Sequence, residues 1–437
     1  MDGERAQGSS RCTARIVLAA ALVLLVLLLA LRFALQPERA TRFLLTRVGN
    51  TLGLEITASG ASEYHLRGTP TLVIRDVVAR EPGAAVPVLT ADRILLSLPW
   101  STIRARGAVL AAERLELDAP VLQVDALQHW LETRPPSEAP RFPTLEQGIH
   151  VRDGVIRSGG DDDWRIADLY IDLPYLAPGA RMQARLRGRY EAPPTRVPFD
   201  VAMAMQRAGA LVDGESTGLG IVGRMAVDTG DDWRLPAHVR LSGPFLLREG
   251  AVRMSPLTLG VGAQYDSKDS RLPFSLGAHG PLRFADGKLS LAPVHVVFDG
   301  RGDPASNPIP RGDTNGSLVF ADALDLQLEG RVASWPQAWP ALPEPIGRPE
   351  GSIAVALDYE GPLAFSGILG LRAQHGPTRF DGRFRVRDIT AWLDSDLATL
   401  LPPLDGTAST PVLEIAGARL EGVEISVDDP AVDATVE

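Results

Sequence analysis

The chain of 437 residues is longer than one ordinary domain, and its 42 glycines, 35 prolines and low aromatic content of 6% predict many short strands joined by turns. A formal net charge of -10 leaves no broad basic surface, which excludes nucleic acid as an expected partner. The single cysteine, Cys12, excludes an internal disulfide and a cysteine metal cluster, so the fold must rest on packing and backbone pairing.

Residues 16–31 (IVLAAALVLLVLLLAL) are unbroken apolar sequence, and Phe33, Ala34 and Leu35 extend them past Arg32 to the length a bilayer core demands. This predicts a membrane-spanning anchor that presents Ile16, Leu22, Leu25, Leu28 and Leu31. No small-x-small cleavage site follows, which favours a retained anchor over a removed signal peptide. Arginines lie on both sides (Arg5, Arg11 and Arg15; Arg32, Arg39, Arg42 and Arg47), so the positive-inside rule does not orient it. A short tail kept in the cytoplasm, with the bulk on the far side, is the simplest arrangement.

Residues 38–52 place Phe43, Leu44, Val48 and Leu52 at helical spacing. Beyond them the period becomes two. Leu324, Leu326 and Leu328 alternate with Asp325, Gln327 and Glu329, and the same rhythm runs through Ile353, Val355 and Leu357 and through Val423, Ile425 and Val427. Each run predicts a strand with one apolar and one wet face. Further strands are expected at 72–78, 93–98, 115–124, 182–186 and 384–386, and short helices at 125–133 and 391–401. At about 12 to 15 residues per strand and turn, the part beyond the anchor supplies on the order of 25 to 30 strands. Proline-rich stretches at 135–143 and 335–349 suggest four regions. They are a tail and anchor at 1–36, a helix with a β module at 37–140, a repetitive β region at 141–340 and a last β module at 341–437.

The repetition is visible in the letters. Residues 249–259 (EGAVRMSPLTL) and 286–296 (DGKLSLAPVHV) each give an acidic-glycine turn, a strand, a proline kink and more strand, and a related opening occurs at Asp153 (DGVI). A second echo sets acidic residues before a tryptophan-led strand, at Asp162-Asp163-Trp164-Arg165 and Asp231-Asp232-Trp233-Arg234. Such echoes point to one unit stacked many times.

These features together resemble the AsmA family of Gram-negative envelope proteins. The resemblance rests on the anchor, on residues 54–81 (LEITASGASEYHLRGTPTLVIRDVVARE), on 88–124 (VLTADRILLSLPWSTIRARGAVLAAERLELDAPVLQV), on the DG-strand units and on 358–389 (DYEGPLAFSGILGLRAQHGPTRFDGRFRVRDI). It implies an elongated, bent antiparallel β-sheet forming an apolar groove, related to bridge-like lipid-transfer proteins. It also implies a bacterial inner-membrane anchor with the bulk in the periplasm, phospholipid as partner, and a role in lipid movement or outer-membrane assembly. On that reading the lipid-groove candidates are Leu324, Leu326, Leu328, Ile353, Val355, Leu357, Val423, Ile425 and Val427. Periodicity alone leaves another arrangement open, in which the same strands close into β-sandwich modules of a structural adaptor docking to an envelope protein partner.

No catalytic residue, metal or cofactor is predicted. Gly214 to Gly218 (GESTG) has the letters of a nucleophile elbow around Ser216, but the following GLGIVG does not propagate the helix that motif requires, and it lacks the βαβ context of a dinucleotide site. A polar turn and a glycine-rich strand are expected there. The seven histidines are scattered, and Asp161-Asp162-Asp163 lacks the spacing of a calcium loop. Arg301-Gly302-Asp303 and Arg311-Gly312-Asp313 read as turns.

Overall fold

The structure is a computed structural model. It describes residues 45–432 apart from 47–48, 51, 61–62, 66, 105–110, 134–141, 160–163, 231–232, 269, 340, 342–346, 363–365, 386–387, 389–402, 416–417 and 430–431. The expected anchor and the helix expected at 391–401 lie outside the described residues; of the helix expected at 38–52, Leu45, Thr46, Gly49, Asn50 and Leu52 are helical. Among the described residues no helix is long and apolar enough to cross a membrane. The chain is mostly β, a long and largely antiparallel sheet with three short helices among the described residues. It divides into two compact units, Met1–Ala139 with Pro143–Ile171, and Pro140–Phe142 with Asp172–Glu437.

The first unit contains β1 (Glu55–Ala58), β2 (Glu63–His65), β3 (Thr71–Arg80), β4 (Leu89–Ser97), α1 (Trp100–Arg104), β5 (Ala111–Ala112), β6 (Arg114–Asp118), β7 (Val121–Gln123), α2 (Val124–Thr133), β8 (Thr144–Leu145), β9 (Ile149–Arg157) and β10 (Arg165–Leu173) up to Ile171. β3 is its centre, pairing antiparallel with β1, β2 and β4, and β9 joins β6 and β7 in parallel. Val73, Ile74, Val77, Ala91 and Val151 form part of its core. The single strand expected at 115–124 is divided. Ala119 takes a positive φ of 47° ahead of Pro120, and the chain turns before β7. The opening expected at Asp153 is no hairpin either. Asp153 has φ 52° inside β9, as an aspartate tolerates, and the strand continues through it. On β4, Arg93 donates to Asp118 at 2.7 Å and to Glu116 at 3.1 Å, and these bonds raise its pKa above the ordinary arginine value against the opposing effect of burial.

The second unit begins with β11 (Met182–Ala192), β12 (Thr195–Met205), α3 (Ala210–Asp213), β13 (Thr217–Asp228), β14 (Trp233–Arg248), β15 (Ala251–Ser267) and β16 (Arg271–Ala285). It continues with β17 (Lys288–Gly300), β18 (Gly312–Phe320), β19 (Leu324–Val332), β20 (Ile353–Gly361), β21 (Ile368–His375), β22 (Thr378–Arg385), β23 (Asp405–Ile415) and β24 (Ala418–Val427). Every strand from β11 to β24 pairs antiparallel with the next, a meander of fourteen strands. Stacked sandwiches would instead send strands out of one sheet into another. Such long-range, strand-by-strand pairing suits a sequence that alternates apolar and polar residues at nearly every step.

The repeated segments occupy consecutive hairpins of this meander. Glu249-Gly250 and Asp286-Gly287 are two-residue turns with positive φ at both positions (52° and 74°; 51° and 72°), the geometry whose twist matches the flanking strands. The proline of each copy lies in a bulge: Ser255-Pro256 of β15 together face Pro244 and Pro281 on the neighbouring strands, and Ala292-Pro293 of β17 together face Pro281 and Ser317. A bulge is where an interior strand tolerates proline, because the ladder is already interrupted there, and it bends the strand. The bulges of β15 and β17 fall at one level, so the bend is shared across adjacent strands.

Inside that bend, glycine alternates with bulk. Gly243, Gly280 and Gly316 lie on β14, β16 and β18, and Leu257, Val294 and Leu328 lie between or beside them on β15, β17 and β19. Leu257 and Val294 are each only 2% exposed. A Cβ built on any of the three glycines would overlap a backbone carbonyl oxygen of the adjacent strand, that of Pro256, Pro293 or Gln327.

Candidate functional site

Residues directly opposite each other in an antiparallel ladder point to the same face, so register alone assigns each side chain to a side of the meander. One row crosses all fourteen strands of the second unit: Ala184, Met203, Ile221, Leu241, Leu259, Ala278, Val296, Thr314, Gly330, Val355, Ala373, Phe380, Ala408 and Ile425. No member is charged. The one hydroxyl, on Thr314, is buried and donates to the Val296 carbonyl oxygen at 3.3 Å, which removes its demand for water.

The row displaced by one residue has the opposite character. It runs Gln183, Ala204, Gly220, Ser242, Thr258, His279, His295, Asn315, Glu329, Ala356, Arg372, Asp381, Thr407 and Ser426. The sheet is therefore amphipathic across its width, and a second apolar line (Leu186, Val201, Gly223, Val239, Val261, Leu276, Phe298) lies beside the first.

Exposure separates packing from availability. Met203, Ile221, Leu241, Leu259, Val296, Val355 and Phe380 are half-buried, and Ile425 is 37% exposed. Beyond the bulges the same face closes on itself, where Leu324, Tyr359 and Leu369 form a buried cluster with Leu318, Phe320, Leu326, Leu357 and Phe384 packed against it.

All nine candidates from the alternating runs project from this one face of β19, β20 and β24. They do not share one environment. Leu324 and Ile353 are buried at 4% and 6% exposure, and Leu326 and Leu357 pack on the closed cluster. Leu328, Val355, Val423 and Val427 are half-buried, and Ile425 is exposed. The anchor candidates Ile16, Leu22, Leu25, Leu28 and Leu31 lie outside the described residues. The apolar residues of β12 to β17 were missed, although the alternation of Leu257, Leu259 and Val261 carries the same signal.

The segments with catalytic letters hold other places. Ser216 precedes β13 and follows α3 and Gly214, so a helix comes before the serine where an elbow has one after it. Gly218, Gly220 and Gly223 are part of β13. Arg301-Gly302-Asp303 is a turn with Gly302 at φ 85°, whereas Gly312-Asp313, expected in a turn, opens β18. Among the described residues no group of three or more histidine, cysteine, aspartate or glutamate side chains is placed to hold a metal ion.

The polar face is organised around Asp200. Its carboxylate accepts two bonds from Arg185, at 2.9 and 2.8 Å, with Arg187 at 3.5 Å and Arg224 at 3.9 Å. The Arg185 hydrogen bonds hold the Asp200 pKa below the ordinary carboxylate value, burial opposes them, and the charges of Arg185, Arg187 and Arg224 add to the lowering. A carboxyl whose folded pKa is depressed stabilises the fold above its unfolded pKa of about 3.9, and this contribution disappears as pH falls through the folded value. Arg185→Gln is expected to move the Asp200 carboxyl titration upward, toward that ordinary value, in a carbon-detected NMR pH series. An unmoved titration would show that the arginine bonds do not set it.

No family model, curated protein or solved structure matches the chain.

Proposed function

We propose that the protein is anchored in the bacterial inner membrane and binds phospholipid acyl chains along the apolar face of β11 to β24, moving lipid through the periplasm or supporting outer-membrane lipid and protein assembly. It catalyses no reaction. The observation that supports this reading is the uncharged row across fourteen strands with most of its larger side chains only half-buried. Water meets a continuous greasy surface there, and each methylene transferred from water onto such a surface contributes about 0.8 kcal/mol. Strands spaced about 4.8 Å apart give roughly 19 Å of apolar contact over four successive spacings, enough for many methylenes at once. The anchor keeps this surface beside a membrane that can supply the lipid. The bulges bend adjacent strands together, which favours a groove over a flat face.

Mass spectrometry of the full chain, gently solubilised in a sugar detergent, tests the proposal. Phospholipid should co-purify at a ratio approaching one or more per chain. A lipid-free chain, or one that purifies with a stable protein partner and no lipid, would sink the proposal.

A further inference from the structure

A cavity of about 990 Å³ lies between β13 and β19, lined mostly by residues of the polar face and also by Gly223, Val239, Val261, Leu276 and Phe298 of the second apolar line. Its floor is bare backbone, contributed by Gly260 and Gly262 of β15 and Gly277 of β16. A Cβ added at Gly260 or Gly262 would meet nothing within 4 Å, so the floor opens onto free space at β15, whereas a Cβ at Gly277 would meet the Val297 side chain at 2.9 Å. Two valines lie on either side of it in the same ladder row, Val222 of β13 and Val297 of β17, at 47% and 41% exposure. Apolar side chains this exposed depart from the polar rule of that face.

Five arginines surround this floor, Arg224 and Arg240 from one flank and Arg301, Arg311 and Arg331 from the other. Two aspartates also line the cavity, and both have partners: Asp299 faces Arg301 at 3.5 Å, and Asp313 accepts from or pairs with His295 at 2.8 Å. Arg224 leans toward Asp200 at 3.9 Å, and Arg301 donates to Ser275 at 3.1 Å. Arg240, Arg311 and Arg331 have no side-chain hydrogen bond or ion pair among the described residues. Positive charge is thus in excess at one basin of a chain whose formal net charge is -10.

Unpaired guanidinium groups around an open floor suit an anion, and their planar donor forks fit phosphate oxygens. Exposed valines beside them suit carbon. We propose that this basin binds an organic phosphate, with the phosphate on the arginine rim and the ester's carbon body over the glycine floor between Val222 and Val297. Val222, Arg240, Gly260, Gly277, Val297 and Arg331 share one ladder row, displaced by one residue from the second apolar line, so this site and lipid binding are tested by different substitutions.

Titration calorimetry on the full chain in a neutral sugar detergent, with hexyl phosphate and with inorganic phosphate, tests the assignment. Hexyl phosphate should bind at least tenfold more tightly than inorganic phosphate and weaken with added salt. Gly260→Leu fills the open space without touching a charge, and Arg240→Gln with Arg331→Gln removes charge without filling space. Each is expected to weaken hexyl phosphate at least tenfold. Displacement of hexyl phosphate by dihexanoyl phosphatidylglycerol would identify a lipid headgroup as the source, and its failure to displace would identify a water-soluble ester; both outcomes support an organic phosphate. Inorganic phosphate binding as tightly as hexyl phosphate would overturn the proposal. So would unchanged hexyl phosphate binding in the arginine double variant, or in Gly260→Leu with wild-type circular dichroism.

Discussion

Gly280→Val and Gly316→Val are each expected to destabilise the second unit by about 3 kcal/mol or more, whereas Gly260→Val should change stability by no more than about 0.5 kcal/mol. The three glycines occupy neighbouring strands of one sheet, and their difference is in what stands above them. At Gly280 and Gly316 an added Cβ would overlap the carbonyl oxygens of Pro293 and Gln327, which are backbone and cannot rotate aside. Relief requires β17 or β19 to move away, which breaks ladder bonds on both sides and uncovers Val294, only 2% exposed. At Gly260 the new side chain enters open space, and a β-branched residue suits a strand. With a urea slope of about 2 kcal/mol per molar, the first two variants should lower the unfolding midpoint by about 1.5 M. Equal midpoints for Gly280→Val and Gly260→Val would refute close approach of the strands at the bend.

Much of this architecture is legible in the letters, and the parts that are not have physical reasons. The alternation at Leu324 to Leu328 gives both strand and face, because a period of two has no other common source. The segments EGAVRMSP and DGKLSLAP announce their hairpins through the acidic-glycine turn. Strand length is less legible. Glycine and proline predict short strands, yet β14, β15 and β16 run for 16, 17 and 15 residues straight through Gly243-Pro244, Ser255-Pro256 and Gly280-Pro281. The bulges absorb the missing donors, and those glycines are required by close approach of the next strand. Asp153-Gly154 shares the letters of the hairpin turns but lies within β9, since only pairing partners decide whether a left-handed aspartate reverses the chain. Nor does sequence spacing reveal the arginine basin. Arg224 and Arg331 are far apart along the chain, and successive antiparallel registers bring them to one cavity.

Replacing Leu241 and Leu259 together by asparagine should reduce phospholipid retained by the full chain at least tenfold, with little change in the strand signal of circular dichroism. These leucines sit opposite each other on β14 and β15, in the middle of the uncharged row and away from the closed cluster around Tyr359. Both are half-buried, so a guest acyl chain would complete their burial, and losing two such contacts removes on the order of 2 to 3 kcal/mol of binding. Thr258 and Ser242, one residue away and paired with each other, point to the polar face. Thr258→Asn with Ser242→Asn therefore makes the matched control, adding the same amide groups on the other side of the same two strands. Lipid loss confined to the leucine pair would tie binding to one face of the meander. Equal loss in both variants would mean that the amides act through stability, and retention in both would place the lipid elsewhere.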